Sequence, residues 1–335
     1  MVQHGQQAID ILEVDQKMRI LVSGGLGFIG HEVVKQLEGH DVMVIDSMTN
    51  YDFIPLDQMM KLFQLRQGDL RNQVPTRHID IRDRALVAKC LYDFQPEVVI
   101  HLASFPRQKV VLQNPSVASE VMTTGLINLL EASKGIANKF VYISSSMVYG
   151  DFDDRVPETQ ECKPRGQYAI MKYMGEKLVE DYKEYFEYVI LRPSAVYGPR
   201  DVEDRVLSKF VLNALRGETI DVRGADEILD FTYVTDTAQG IALASTKACS
   251  HDIYNITRCE SQPITLHMAA KQVVELLGKG EIELVDRDQN FPSRGRLDIT
   301  RARNDLGYKP EVDFEDGCRK YADWMRSVYD TVYKS

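Results

Sequence analysis

The sequence of 335 residues has little that would tie it to a membrane, to nucleic acid or to an oxidising compartment. No apolar run approaches the roughly 20 residues needed to span a bilayer, and the first 20 residues lack a secretory apolar core. Its five cysteines (Cys90, Cys162, Cys249, Cys259, Cys318) are odd in number, scattered, and never spaced CxxC. That argues against a disulfide framework and a structural metal, so no metal ligands are expected, and it fits a reducing cytoplasm. Basic charge is outweighed, since 40 Lys and Arg against 50 Asp and Glu leave a net charge of −10. Such a balance argues against a general nucleic-acid or membrane-surface binder. There is no internal repeat and no low-complexity linker.

What is present is an ordinary globular composition, 44% hydrophobic and 27% charged, long enough for one large or two modest domains. Strand-like apolar runs at 18–23, 41–45, 77–80, 98–102, 140–144 and 188–192 alternate with helical patterns at 28–38, 84–94, 117–133 and 167–184. Continuous apolar strands alternating with helices predict an α/β fold, a doubly wound parallel sheet built of βαβ units. Past residue 199 the pattern changes. Helices at 202–216, 234–247, 266–277 and 314–329 mix with short β pieces at 219–222, 252–256 and 283–285. We expect an N-terminal extension over 1–17, a sheet domain over 18–198 and a smaller C-terminal α/β lobe for substrate over 199–335.

The first strand runs into Gly24-Gly25-Leu26-Gly27-Phe28-Ile29-Gly30, a GxxGxxG turn opening a helix. Gly24 permits the tight turn, Gly27 lets backbone approach a pyrophosphate, and Gly30 allows close helix–strand packing. The free N–H groups at the start of the helix, around Phe28 and Ile29, suit phosphate. A second strand ends at Asp46, where a carboxylate accepts hydrogen bonds from ribose hydroxyls and repels a 2′-phosphate. No Arg or Lys follows in Ser47-Met48-Thr49-Asn50, so the cofactor expected is NAD. Asp80 and Ile81 end the third strand, where an acid could meet an adenine amino group. Leu102 and Ala103 end the fourth and leave room for the cofactor. His101 beside them reads as a hydrogen-bonded core histidine.

Tyr168 and Lys172 lie four residues apart in a helical pattern and so share a face. An ammonium beside a phenol favours the phenolate and makes a general base usable near neutral pH. Tyr173 and Lys177 have the same spacing, and two tyrosines five residues apart point about 140° away from each other, so only one pair can face a single site.

The motifs taken together resemble one family. They are residues 23–30, His101–Ala103, Asn114-Pro115, 143–146 with Val148-Tyr149-Gly150, Tyr168–Lys172 with Glu176, Leu191-Arg192-Pro193 with 196–199, 230–234 with Asp236, and Leu306-Gly307-Tyr308 with Pro310. In order and spacing the chain resembles the extended short-chain dehydrogenase/reductases, in particular the NAD-dependent nucleotide-sugar epimerase/dehydratase group, over residues 18 to about 325. The resemblance implies a Rossmann-like domain with permanently held NAD and a C-terminal lobe gripping a nucleoside-diphosphate sugar. It selects Tyr168 and Lys172 over the decoy, because Glu176 follows Lys172 as the family's Glu follows its Lys. It adds Ser145 as the catalytic partner at the end of the preceding strand, and it places Tyr173 on a packing face. It also implies a homodimer formed by the helices at 117–133 and 167–184, packed as a four-helix bundle.

In dehydratases of this family an Asp-Glu pair follows the catalytic Ser or Thr. Here the substrate-facing residues are Ser146 and Met147, and a thioether has no proton to shuttle. That argues against elimination and decarboxylation, and leaves redox at one carbon. The resemblance then implies an epimerase acting at C4 through a ketone, with net oxidation or ketoreduction, and a non-catalytic NAD-binding regulator, as alternatives. Three positions depart from the family: Met122, Ala195 and Leu229 stand where Asn, Asn and a diphosphate-binding Arg are usual. Arg223 and Arg294 are the candidate replacements for that Arg. Ser104, Arg107 and Lys109, after His101, are the remaining candidates for substrate contact.

Overall fold

The computed structural model describes residues 17–49, 54–70, 74–289 and 291–334, so the expected N-terminal extension lies, Lys17 apart, outside the described residues. The first part of the chain forms β1 (Arg19–Ser23), α1 (Phe28–Gln36), β2 (Asp41–Asp46), α2 (Leu56–Asp69), β3 (Thr76–His78), α3 (Arg84–Phe94) and β4 (Val98–His101). It continues with α4 (Gln108–Gln113), α5 (Pro115–Ser119), α6 (Leu126–Ser133), β5 (Lys139–Ile143), α7 (Gln167–Asp181) and β6 (Glu187–Pro193). The remainder forms β7 (Val196–Tyr197), α8 (Val206–Arg216), β8 (Thr219–Arg223), β9 (Thr232–Tyr233) and α9 (Val234–Thr246). It ends with β10 (Ile253–Ile256), α10 (Leu266–Leu277), β11 (Glu281–Val285) and α11 (Phe314–Val328).

Seven strands form one parallel sheet in the order β10-β6-β5-β4-β1-β2-β3. Strand order reverses direction between β1 and β4, which opens a crevice at their carboxyl ends. The strands are apolar because both faces are covered. Ile20 and Val22 of β1 join the core beneath α1 and α9, while Leu21 between them joins the core beneath α3 and α6. Asp83 caps α3 by accepting from Ala85 and Leu86 N–H, and Thr265 caps α10 through Met268 N–H.

Four differences from the sequence reading have physical causes. Helix α2 was not anticipated, although Met59, Leu62, Phe63 and Arg66 supply its buried stripe. The helix expected over 117–133 is broken by a wide π turn at Glu120–Gly125, which carries Met122. The helix expected from 202 begins at Val206, because Arg200 takes a left-handed φ of 67° and Asp201 turns its carboxylate onto Val202 N–H. Residues 252–256, expected in the smaller lobe, include β10, which extends the central sheet beside β6. Past residue 199 the parallel pair β8–β11 packs under α8 and α10.

Candidate active site

The glycine turn lies at the crevice between β1 and β4. Gly24 has φ +78°, and a Cβ there would sit 2.6 Å from Ala103 N. A Cβ on Gly30 would lie 2.1 Å from the Gly24 carbonyl oxygen. Gly27 precedes α1 with no side chain bonded to the first amides, which leaves N–H donors for an anion. Asp46 accepts from Leu26 N–H at 3.0 Å and Met48 N–H at 2.8 Å. Burial pushes the Asp46 pKa up, while these amides and the charges of Arg66 and His78 pull it down.

A cleft extends from this turn. Of the expected cofactor residues, Gly24, Gly27, Phe28, Asp46, Asp80 and Ile81 line it, as do Leu102 and Ala103. Ile29 packs behind it against the Phe28, Val196 and Val234 cluster, and Gly30 supports the turn. The Asp80 carboxylate is engaged by Arg82, whose Nη2 donates at 2.6 Å, and that guanidinium holds its pKa down. Arg66, Asp201, Val202 and Arg205 also line the cleft and were missed by the sequence reading. Arg66 is buried and donates to Leu26 O at 3.2 Å and Arg200 O at 2.8 Å, tying the glycine turn to the loop before α8. The signal available was its place on the apolar stripe of α2. The close glycine cradle, the open amides of α1 and the Asp46 carboxylate at the end of β2 fit a dinucleotide such as NAD.

Of the expected catalytic residues, Ser145 and Tyr168 are brought within hydrogen-bond reach of each other, with Lys172 one turn on. Ser145 follows β5 in an extended conformation and opens the short turn Ser146–Tyr149, accepting from Met147 N–H at 3.2 Å. Tyr168 lies in the first turn of α7, where its N–H donates to Gln108 Oε1 at 2.9 Å. Its phenol is raised by burial, against a hydrogen bond with Ser145 and the charge of Arg205, which lower it. Lys172 is buried one turn on and donates to Ile143 O at 2.7 Å, with its ammonium 5.3 Å from the Tyr142 ring. Burial pulls its pKa down to about 7, with Glu176 opposing. The Lys172 ammonium reaches the carbonyl at the end of β5.

The surroundings of the pair are rigid. Glu176 is held by Arg192 at 2.6 Å and accepts from Ser144 Oγ at 2.5 Å, all buried. His101 is buried against Ser23 Oγ at 2.7 Å, as expected of a core histidine, and burial lowers its pKa to about 3. Tyr173 packs on the Val148, Tyr149 and Phe152 cluster, with the Lys177 ammonium 5.5 Å from its ring.

The candidate substrate residues divide. Ser104 lines the cleft and donates to Phe105 O at 3.0 Å. Arg107 and Lys109 both reach Asp204, each at 3.3 Å. Ser146 is buried and donates to Ser194 Oγ at 3.0 Å, and Met147 is buried beside it. Arg294 is half-buried, its pKa lowered to about 10 by burial and its Nε without a hydrogen-bond partner. Arg223 is not brought to this group: it is exposed at the end of β8, 3.8 Å from Asp221. Met122 and Leu229 are buried in the two cores, and Ala195 carries a φ of +37°. His31, Glu32 and Asp69 bring potential metal donors within 4.8 Å of one another, but Lys35 and Arg200 already pair the two carboxylates.

Residues 20–257 match the NAD dependent epimerase/dehydratase family. The crystal structure of UDP-glucose 4-epimerase from Thermus thermophilus in complex with NAD is 29% identical, with a TM-score of 0.80 over 92% of this chain and 99% of that one. UDP-glucuronic acid 4-epimerase from Bacillus cereus, in complex with UDP-glucuronic acid and NAD, is 26% identical, with a TM-score of 0.83 over 93% and 100%. The dTDP-glucose 4,6-dehydratase of Shigella flexneri is 27% identical over 338 residues, 92% of either chain.

Proposed function

This chain belongs to the NAD-dependent epimerase/dehydratase family, and from that premise we propose that it epimerises a nucleoside-diphosphate sugar at C4 through a ketone. The observation that supports the reading is the hydrogen bond between Ser145 and the Tyr168 phenol, one turn before Lys172, in a fold with a glycine-cradled cleft, with Met147 where elimination would need a proton shuttle. Its enzymatic character and its use of NAD follow from the family. Gly24, Gly27, the first amides of α1 and Asp46 hold the dinucleotide, which supplies the acceptor and donor of the C4 hydrogen with its electron pair.

Tyr168 takes the proton of the C4 hydroxyl as the C–H bond breaks, and returns it when the ketone is reduced on its other face. Ser145 hydrogen-bonds the oxygen as it becomes a carbonyl, and the charge of Arg205 favours the phenolate against burial. Lys172 holds the cofactor at its ribose. Keeping ketone and cofactor together avoids a second encounter in solution. Ser104, Ser146 and Arg294 face the sugar diphosphate, with Arg294 in the part normally taken by the Arg replaced by Leu229.

The chain acts as a homodimer through α7 and the segment 117–133, where Ile170 and Met174 leave an apolar strip exposed on α7. The test of the activity is the purified protein with paired C4 epimers of nucleotide sugars, followed by NMR. Interconversion is expected, and Tyr168→Phe should lower it by about 10²–10⁴. Stoichiometric NADH without the epimer would overturn the reading in favour of net oxidation.

A further inference from the structure

Arg66 on α2 is buried, yet among the described residues no carboxylate holds it. Its Nε and Nη2 donate to Arg200 O at 3.3 and 2.8 Å, and its Nη1 donates to Leu26 O at 3.2 Å. Both acceptors are neutral carbonyls. A guanidinium has five N–H donors, so each terminal nitrogen keeps one hydrogen uncommitted. Burial lowers the Arg66 pKa to about 10, with the fields of Asp201 and Asp46 opposing. A buried cation with no ion-pair partner is unfavourable, and its place calls for an anion.

The lining of the cleft identifies that anion. Its charged residues are Asp46, Asp80 and Asp201 against Arg66 and Arg205. Arg205 is committed to Asp201 at 2.9 Å, and Asp80 is taken by Arg82. Asp46 and Arg66 remain, and they grip Leu26 from both sides. Leu26 N–H donates to Asp46 Oδ2 at 3.0 Å, while its carbonyl accepts from Arg66. Leu26 stands between Gly25 and Gly27, in the turn that meets the pyrophosphate of a dinucleotide. That pyrophosphate carries a negative charge on each phosphate. Without Arg66 it would enter a wall on which the remaining carboxylate, Asp46, has no cation beside it.

We propose that Arg66 is a cofactor-binding residue: its guanidinium fixes the glycine turn at Leu26 and supplies the positive charge opposite the NAD pyrophosphate. A planar fork suits neighbouring phosphate oxygens, which two N–H groups can meet at once. The role rests on the use of NAD and on no step at the sugar, so it is independent of the epimerase reading.

The test is displacement of NADH from the NADH-loaded protein, followed by fluorescence, with two competitors. ADP-ribose keeps the pyrophosphate; adenosine keeps the ribose that Asp46 would hold and has no phosphate. Arg66→Met should weaken NADH and ADP-ribose about tenfold or more and leave adenosine within about twofold. Arg66→Lys keeps a point charge without the fork and should fall between wild type and Arg66→Met. An unchanged ADP-ribose affinity in Arg66→Met, or an equal loss for adenosine, overturns the proposal; the equal loss would make Arg66 a support of the turn alone. Should Arg66→Met fail to fold, the same comparison of ADP-ribose with adenosine in Arg66→Lys decides between these outcomes. The measurement needs no turnover, so an inert protein with this pattern would keep the role of Arg66 and remove the epimerase reading.

Discussion

Lys172 Nζ donates to the Ile143 carbonyl oxygen at 2.7 Å, at the end of β5 and two residues before Ser145. Burial lowers the Lys172 pKa from 10.5 to about 7. Between these values the unfolded chain binds a proton at this position that the folded one does not. Stability from this group therefore rises with pH through that window and is least below about pH 7. Denaturant unfolding of wild type and Lys172→Met should show the variant gaining relative to wild type at about pH 6 and losing that gain towards about pH 10. A difference independent of pH would show that the lysine titrates normally in the fold.

Glu176 and Arg192 form a buried pair, 3% exposed or less on either side, 2.6 Å apart. Glu176→Gln leaves the guanidinium buried without its countercharge, and a loss of about 3–5 kcal/mol is expected in urea unfolding. Replacing both, Glu176→Leu with Arg192→Met, should recover most of it. If the double variant is as unstable as the single, the pair also orders Ser144 through the 2.5 Å contact to Glu176.

Two glycines in helices predict opposite outcomes. Gly30→Ala drives a Cβ to 2.1 Å from Gly24 O, backbone that cannot swing aside, and should abolish NAD binding in titration. Gly68, near the end of α2, has nothing within 4 Å of its Cβ position and no positive φ. Gly68→Ala should stabilise by about 0.5–1 kcal/mol through the lost freedom of the unfolded chain.

The apolar strip on α7 makes the dimer testable. Ile170 is 51% exposed and Met174 37%, one helical turn apart. Ile170→Glu with Met174→Glu should give a monomer by light scattering, with the far-UV spectrum unchanged. A wild-type monomer at the same concentration would remove the proposal.

The sheet and the glycine-turn wall of the cleft were legible because each rests on local pattern. Fully buried strands such as 98–102 read as apolar runs, and three glycines at fixed spacing mark one turn. The other wall of the cleft was not legible. Arg66 contacts Leu26 O and Arg200 O, 40 and 134 residues away, and nothing near it in sequence announces those partners. Arg205 fell within an expected helix, so its place in the cleft depended on the backbone turn at Arg200. The partner of Lys172 was not legible for a related reason: spacing puts two side chains on one face, but the Ile143 carbonyl that the ammonium reaches lies 29 residues away.

Ala195 stands with φ +37°, between Ser194, which accepts from Ser146, and β7. A left-handed conformation costs an L-residue with a Cβ about 1–2 kcal/mol, and Asn tolerates it better than Ala. The carbonyl of Ala195 accepts from Thr232 N–H at 3.3 Å, so the neighbouring β7–β9 pairing holds the strained backbone in place. Ala195→Asn should then raise stability by about 0.5–1 kcal/mol in chemical denaturation, while Ala195→Val, branched at Cβ, should lower it by more. Asn is also the residue usual in the family at this position, so the same variant restores a polar group beside Ser146. A rise in stability with the Michaelis constant unchanged would assign the position to backbone geometry; a fall in the Michaelis constant as well would assign it to the sugar pocket.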